Sequence, residues 1–298
     1  MSGEQAAQPR GITADATRLA REALAEDGPR DITSELTVPS HLTGTAVIEF
    51  RSAGIVAGLP YADAVAEEYG LGRIRWLVQE GDRLFSQAVI GTLDGNLRLI
   101  LRAERPLLNL LQRASGIATL TRTYVDAVEG TGARILHTRK TAPGLRLFDV
   151  NAVLAGGGSA HRLDLAQEVM VKDNHWRALE ETEVPLAEII REGRARGVTR
   201  YDVEVENTQQ LEMACEAGAT RLLIDNQAPE IVRAWTRVAR SLAPAIEIEA
   251  SGGIDLTNVR AYAEAGVDFI SIGALTHSPK AADVGLEVGG GDEAFGVG

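Results

Sequence analysis

The order of apolar and polar positions divides the chain into two regions. In the N-terminal region, apolar residues at helical spacing predict a helix over 12–26. The segment GPRDITSEL then ends this helix. Alternating stretches over 45–59, 73–85 and 88–101 predict β-strands with Gly-Asp and Gly-Asn turns, and a helix over 61–70 lies between the first two stretches. These elements predict a small α+β unit.

From about Arg105 the pattern changes to a long helical run over 106–130, followed by short apolar strands that alternate with helices. The predicted strands are 133–138, 168–172, 201–206, 221–226, 246–252 and 269–274. The predicted helices are 186–197, 208–218, 228–242 and 256–266. Strand-helix repeats predict a parallel sheet. Because nearly every strand ends in polar or charged residues, a β/α barrel is favoured over an open doubly wound sheet, in which such residues gather around one switch point.

Composition narrows the classes of function. The chain has 298 residues and a formal net charge of −12, which argues against a general nucleic-acid or anionic-membrane surface. Its single cysteine, Cys215, cannot form an internal disulfide, so a cytoplasmic protein is expected. The start of the chain lacks an apolar signal core, and no run of 18 apolar residues occurs. Residues 1–11 and the tail 289–298 are predicted to be disordered.

A basic cluster stands out against this acidic background. Within about forty residues the chain places Arg139, Lys140, His161, Arg162 and Lys172 beside a Gly-Gly-Gly triplet. Arginine offers planar forks for carboxylate or phosphate, and lysine offers a point charge. The cluster therefore indicates a pocket for a small, multiply anionic ligand. The alternative is a solvated loop, although glycines and short apolar runs rather than Glu and Ser separate these cations.

Two further groups of residues suit a phosphorylated ligand. Ser251–Ile254 and Ser271–Ser278 each follow an apolar strand, and their small residues would let backbone amides approach phosphate. The alternative is that these glycines only make tight turns. Glu204 and Glu206 share a strand face, and Asp225 ends the next strand. These carboxylates could hold ribose hydroxyls or Mg²⁺, or could pair with the basic cluster, and the residues alone do not separate these roles.

At this point the motifs resemble a known family. RAERPLLNLLQRASGIAT, TRKTAPGLR, AGGGSAHR, VKDNH, VEVEN, IDN, EASGGI and GVDFISIGALTHS resemble, in this order, quinolinate phosphoribosyltransferase (nicotinate-nucleotide pyrophosphorylase, carboxylating). The resemblance covers about residues 24–288. It implies transfer of phosphoribosyl from phosphoribosyl pyrophosphate to quinolinate with decarboxylation in NAD biosynthesis, and it implies a Mg²⁺ cofactor and a homodimer.

The resemblance also implies an α/β fold with an N-terminal α/β sandwich domain plus an open, incomplete β/α barrel. The first domain is expected to cover residues 1–113 and the barrel residues 114–278. The C-terminal segment 279–298 is a candidate to pack on the first domain. Carried over by motif, Lys140, Glu204 and Asp225 are expected to be catalytic, and Glu204 and Asp225 are expected to serve Mg²⁺ directly or indirectly. The expected substrate-binding residues are Arg105 (from the partner subunit), Arg139, His161, Arg162, Lys172, Ser251, Gly252, Gly253, Gly273 and Ala274.

Three positions depart from the commonest family pattern. His137 stands where Asp is frequent, Val150 replaces a lysine, and Gln167 lies where Asp is common. Of the three, Val150 matters most for the identity of the substrate, because the lysine that it replaces would place a cation close to the basic cluster. The alternatives to the main hypothesis are a transferase of this fold that acts on another aromatic acid, and a non-catalytic sensor of quinolinate or of the phosphoribosyl donor.

Overall fold

The computed structural model describes residues 11–289, and the chain divides into two compact units. The first unit comprises Met1–Arg122, Ala142–Gly157 and Ser278–Gly298, and the second comprises Thr123–Thr141 and Gly158–His277. Apart from Gly11 and Gly289, the leader and the tail predicted to be disordered lie outside the described residues. Within residues 11–289, no helix is both long and apolar enough to cross a membrane.

The first unit combines helices with an antiparallel sheet. Its helices are α1 (Ile12–Glu26), α2 (Ile32–Thr37), α3 (Leu59–Glu68), α4 (Leu97–Ala127, of which the end from Thr123 belongs to the second unit) and α5 (Arg146–Ala155). Its strands are β1 (Thr43–Phe50), β2 (Gly54–Ile55), β3 (Arg75–Trp76), β4 (Arg83–Leu84), β5 (Ala88–Asn96) and β12 (Val284–Gly289). The main sheet has the order β12-β1-β5-β3, and β2 pairs with β4. Alternate β1 and β5 residues such as Ile48 and Leu93 are buried, and α1 packs on α3.

One local prediction for this unit is wrong, and several of its elements were not predicted. The strand predicted to end at 101 stops at Asn96, because the Asn96 side chain accepts the Arg98 N–H at 3.1 Å where α4 begins. The GPRDITSEL segment follows the end of α1 at Glu26, as predicted, but it also contains most of α2, which was not predicted and is capped by Asp31 through the Ser34 N–H at 3.0 Å. Helix α5 and strand β12 were not predicted. β12 pairs antiparallel with β1 along residues 45–50, so the chain returns to this sheet after the second unit.

The second unit is built on a six-stranded parallel sheet. Its strands are β6 (Arg134–Leu136), β7 (Val169–Val171), β8 (Tyr201–Val205), β9 (Arg221–Asp225), β10 (Glu247–Ser251) and β11 (Phe269–Ser271). Its helices are α6 (Asp173–Thr182), α7 (Leu186–Ala195), α8 (Thr208–Ala217), α9 (Pro229–Leu242), α10 (Val259–Glu264) and α11 (Ala274–His277). All six predicted strands and the four predicted helices of this region are confirmed, whereas α6 and α11 were not predicted.

The strand order shows that the barrel is open. The order of strands in the sheet is β6-β11-β10-β9-β8-β7. The strands β6 and β11, which come first and last along the chain, pair with each other, but β6 does not pair with β7, so the two edges of the sheet do not join. The prediction of an open, incomplete β/α barrel is therefore confirmed. Buried residues such as Val203, Leu222 and Ile248 alternate with side chains that point to the other face of the sheet. All six strands are parallel, so their carboxyl ends meet at one edge.

Candidate active site

A cavity of about 600 Å³ opens at the carboxyl ends of the second unit's strands. Eight of the predicted site residues line it: Arg139, Lys140, His161, Arg162, Lys172, Glu204, Asp225 and Ser251. The structure thus gathers the basic cluster and the two acids in one place. Gly252, Gly253, Gly273 and Ala274 are not among the lining residues, although they follow β10 and β11 at the same edge.

Two guanidinium groups form the cationic part of the cavity. The Nε atom of Arg139 is buried and has no hydrogen-bond partner among the described residues. Arg162 contacts the Glu168 carbonyl at 3.4 Å and the Met170 sulfur at 3.2 Å. Burial, and next the positive charge of Arg139, lower the pKa of Arg162. In the part of the chain that the structure describes, neither guanidinium has an ion pair with a carboxylate, so both can receive anionic groups of a ligand.

The two lysines of the cluster differ in their surroundings. Lys172 donates its Nζ hydrogen to Glu204, which is a nearly buried carboxylate on β8. Lys140 is exposed, and the turn after β11 lies against it: Thr276 donates to the Lys140 carbonyl at 2.8 Å. A Cβ atom added at Gly273 would lie 3.1 Å from the Lys140 Cδ atom, so the small residue lets this turn pack closely on the lysine.

The loops after β9 and β10 pack closely at the acidic side of the cavity. Asn226 has a φ of 53° and donates its N–H to the Ser251 carbonyl at 2.9 Å. Gly252 has a φ of +85°, and a Cβ atom there would lie 2.2 Å from the Asn226 Oδ1 atom. Glycine is therefore required at this position for both conformation and space. Asp225, at the end of β9, accepts a hydrogen bond from the Asn226 amide.

Charged residues behind the cavity form a buried network that the sequence interpretation missed. Glu249 is fully buried and contacts the His161 Nε2 atom at 3.2 Å, the Ser271 hydroxyl, and the Arg221 guanidinium at 3.2 Å. Burial alone would raise the pKa of Glu249, but the hydrogen bonds from His161 and Ser271 and the charges of His161 and Arg221 outweigh it, and the pKa is lowered. The signal was present in the sequence as polar residues that alternate with apolar ones inside strands.

Asp202 belongs to the same network, but its pKa is shifted in the opposite direction from that of Glu249. Its carboxylate lies 3.5 Å from the Arg221 guanidinium, and its Oδ1 atom is buried without a hydrogen-bond partner among the described residues. Burial raises the pKa of Asp202 to about 7, although the charge of Arg221 acts in the opposite direction. His161, Asp202 and Glu249 are close enough together to hold a metal ion, but Arg221 already supplies a positive charge to this group.

Arg105 lies outside this cavity. It is on α4 in the first unit, its side chain is 60% exposed, and its nearest acidic partner is Glu104 at 3.8 Å. Val150 is buried on α5 of the first unit and does not line the cavity, and Gln167 accepts the Leu163 N–H at 2.6 Å. The third departure from the family pattern, His137, is completely buried after β6 and does line the cavity.

Comparisons with known proteins cover nearly the whole chain. Residues 31–115 match the family model for the quinolinate phosphoribosyl transferase N-terminal domain, and residues 117–287 match the model for its C-terminal domain. A probable nicotinate-nucleotide pyrophosphorylase [carboxylating] from Methanothermobacter thermautotrophicus is 38% identical over 277 residues, which are 91% of this chain and 98% of that protein. The nicotinate-nucleotide pyrophosphorylase [carboxylating] of Mycobacterium leprae is 38% identical over 274 residues, with 90% and 95% covered.

Solved structures agree with these sequence matches. The nicotinate-nucleotide pyrophosphorylase from Francisella tularensis has a TM-score of 0.84 and 35% identity, over 93% of this chain and 97% of that one. NadC from Streptococcus pyogenes has a TM-score of 0.85 and 32% identity, over 95% and 99% of the two chains.

Proposed function

The chain belongs to the quinolinate phosphoribosyltransferase family, and from that membership we propose that it makes nicotinate mononucleotide, CO₂ and pyrophosphate from quinolinate and phosphoribosyl pyrophosphate. It is a carboxylating pentosyltransferase of de novo NAD biosynthesis. One observation carries the proposal: a single cavity brings together the Arg139 and Arg162 guanidinium groups, which have no ion pair with a carboxylate among residues 11–289, and acidic side chains on the neighbouring strands.

Different parts of the cavity suit the two substrates. Quinolinate carries two adjacent carboxylates, and Arg139 and Arg162 offer two planar forks of opposite charge. Lys172, directly after β7, lines the same cavity. We assign Lys140, which is exposed and lies against the segment that follows β11, to the pyrophosphate group. We assign Ser251–Gly253 and Gly273-Ala274 to the phosphate through their backbone amides, which follow strands at the same edge.

The first chemical step forms a bond between the ring nitrogen of quinolinate and the anomeric carbon of the ribose. The bond from that carbon to pyrophosphate breaks, and positive charge builds up on the ribose in the transition state. We assign the stabilisation of this charge to the Glu204 and Asp225 carboxylates, and the stabilisation of the departing pyrophosphate to Lys140, because all three residues line the cavity. No nucleophilic side chain is needed.

The second step removes the carboxylate next to the ring nitrogen. After N-glycosylation the ring nitrogen is positively charged, so it accepts the electron pair from the breaking bond as CO₂ leaves. A proton then replaces CO₂ on the ring carbon, which gives nicotinate mononucleotide. The protein contributes little direct chemistry here beyond holding the remaining carboxylate on its guanidinium partner.

The donor set at the acidic side of the cavity fits Mg²⁺. Glu204 and Asp225 supply the carboxylate oxygens that this ion prefers, and Mg²⁺ is commonly held by one or two carboxylates together with substrate phosphates. The His161–Asp202–Glu249 group fits it less well, because it includes a nitrogen ligand and Arg221 compensates its charge. When bound, Mg²⁺ would neutralise charge on the pyrophosphate.

The proposed function is tested by following both products. The purified protein with quinolinate, phosphoribosyl pyrophosphate and Mg²⁺ should release CO₂ and form nicotinate mononucleotide in equal amounts, and a metal chelator should abolish both. A panel of other aromatic acids should be used poorly. Binding of quinolinate without CO₂ release in a single turnover would contradict the proposal and favour a sensor, and preferred use of another acid would favour a different transferase.

We propose further that the protein is a homodimer in which Arg105 completes the site of the partner subunit, and that it acts in the cytoplasm. Arg105 is exposed and is not among the residues that line the cavity of its own chain, which supports the shared site.

Mixing two inactive variants should test the shared site. Arg105→Ala and Lys172→Ala chains should each lose activity, and hybrid dimers should recover part of it because one of their two sites has both residues. Activity should be measured after subunit exchange has been verified by mass spectrometry of the assembly. Mixed dimers without recovered activity would show that each site is built from one chain.

A further inference from the structure

The open seam of the barrel is occupied by a segment without regular secondary structure. Between β6 and β7, which do not pair, Ser159 donates its N–H to the Ile135 carbonyl at 2.8 Å and forms an isolated parallel bridge with Leu136. The segment therefore begins alongside β6 as a strand would, and then leaves it. His161 and Arg162 come directly afterwards, so their position depends on how this short segment is held.

One side chain holds the segment from the end of β6. The Nε2 atom of His137 accepts the backbone N–H of His161 at 2.9 Å, across 24 positions of sequence. His137 is completely buried, so water cannot replace this contact at no cost. Its Nδ1 atom lies 3.3 Å from the Thr138 carbonyl. Both contacts fit a neutral imidazole that carries its proton on Nδ1.

The imidazole of His161 extends this connection from His137 to the backbone of Arg162. The Nδ1 atom of His161 accepts the backbone N–H of Arg162 at 2.7 Å, and its Nε2 atom faces Glu249 at 3.2 Å. The Nε2 contact fits a proton on Nε2 that is donated to Glu249, and the Nδ1 atom also lies 3.3 Å from the Glu168 carboxylate. Both nitrogens of His161 are thus engaged by the protein, and the histidine fixes the backbone from which the Arg162 side chain enters the cavity.

We propose that His137 is a positioning residue for quinolinate, which acts by holding the His161–Arg162 segment at a fixed distance from Arg139. The inference rests on the proposed function. Arg139 follows His137 by two residues and Arg162 follows His161 by one, so the hydrogen bond between the two histidine residues ties together the backbones that carry the two guanidinium groups. Two like charges in one cavity repel each other, and a fixed backbone keeps them at the spacing that adjacent carboxylates require.

The competing explanation is that His137 only fills space in the core. The two explanations differ in which atom matters. If His137 fills space, any side chain of similar volume serves equally well. If it positions the segment, an acceptor is needed at the place of Nε2. Glutamine can put its amide oxygen near that place, whereas asparagine is shorter and puts its oxygen near Nδ1.

The experiment compares His137→Gln, His137→Asn and His137→Leu in the full-length protein. Binding of quinolinate is measured by calorimetry, and KM for each substrate and kcat are measured in parallel. We expect His137→Leu and His137→Asn to weaken quinolinate binding by roughly 10-fold or more, which is typical when a buried N–H loses its acceptor. His137→Gln should restore most of the affinity, and KM for phosphoribosyl pyrophosphate should change little in all three variants.

Stability is followed by thermal unfolding, with Thr236→Val as the control. Thr236 is a buried polar residue on α9 of the second unit that does not line the cavity, so its replacement tests a general disturbance of the unit. Equal quinolinate affinity in the folded leucine and glutamine variants would overturn the positioning role. So would equal changes in KM for both substrates. If the leucine variant does not fold, the comparison of His137→Gln with His137→Asn tests the positioning role. Failure of the proposed function would appear instead as inactivity of the unaltered protein.

Discussion

The enzyme should use quinolinate at least ~100-fold better than nicotinate in kcat/KM, because each charge-assisted hydrogen bond is worth about 1.5–3 kcal/mol. Nicotinate lacks one of the two adjacent carboxylates, so one guanidinium of the pair Arg139 and Arg162 would remain without an anionic partner. Arg162 is partly buried, which lowers the pKa of its guanidinium and makes an unpaired charge there costly. Initial rates with each acid at saturating phosphoribosyl pyrophosphate measure the preference.

Arg162→Leu provides the matched control for this prediction. The variant should lose much of its activity with quinolinate, and the ratio between the two acids should become smaller, because the group that the second carboxylate needs has gone. Equal turnover of quinolinate and nicotinate by the unaltered enzyme would be incompatible with our assignment of the two guanidinium groups.

Glu204→Gln should reduce kcat by about 10²–10³, as is typical when one electrostatic stabiliser of a transition state is removed. Glutamine keeps the shape and hydrogen-bonding capacity of the side chain but deletes its charge. A carboxylate that stabilises positive charge on the ribose, directly or through Mg²⁺, acts mainly in the transition state, so the loss should appear in kcat. Quinolinate affinity should change little or improve, because a negative neighbour has been removed.

The contact between Glu204 and Lys172 supplies a specific alternative. If Glu204 only holds Lys172 in place, Glu204→Gln should raise KM for quinolinate and leave kcat unchanged. Steady-state kinetics separate the two outcomes. Glu206→Gln is the matched comparison, since Glu206 also borders the cavity but is exposed, and we expect a smaller loss.

The sequence predicted the second unit better than the first. In the second unit, apolar residues recur along each parallel strand and polar residues lie at or near its carboxyl end, and both properties are local. The strands of the first unit are partly exposed and irregular, and the segment 97–101 satisfies a strand pattern as well as a helical one. The decision in favour of α4 comes from the Asn96 cap and from the burial of Ile100 and Leu107 on one side of the helix.

The motifs in the sequence were sufficient to predict the basic cluster and its acidic neighbours, because TRKT, AHR, KDNH and the strand ends carry those residues within a few positions of regular elements. The chemistry of the ligand followed from residue types and charge. The order in which the strands lie side by side did not follow, since hydrophobic periodicity states which residues are buried and not which strand lies next to which. Thus β6 pairs with β11, and β12 returns to β1.

Only the tertiary structure revealed the connections behind the cavity. The His137 contact with the His161 backbone spans 24 positions, and the His161 contact with Glu249 spans 88. A sequence pattern cannot show that charged residues inside strands compensate one another, because the compensation depends on distances across the barrel. Asp202, Arg221 and Glu249 are all buried and meet within 3.5 Å, which makes their burial tolerable and holds His161 in place.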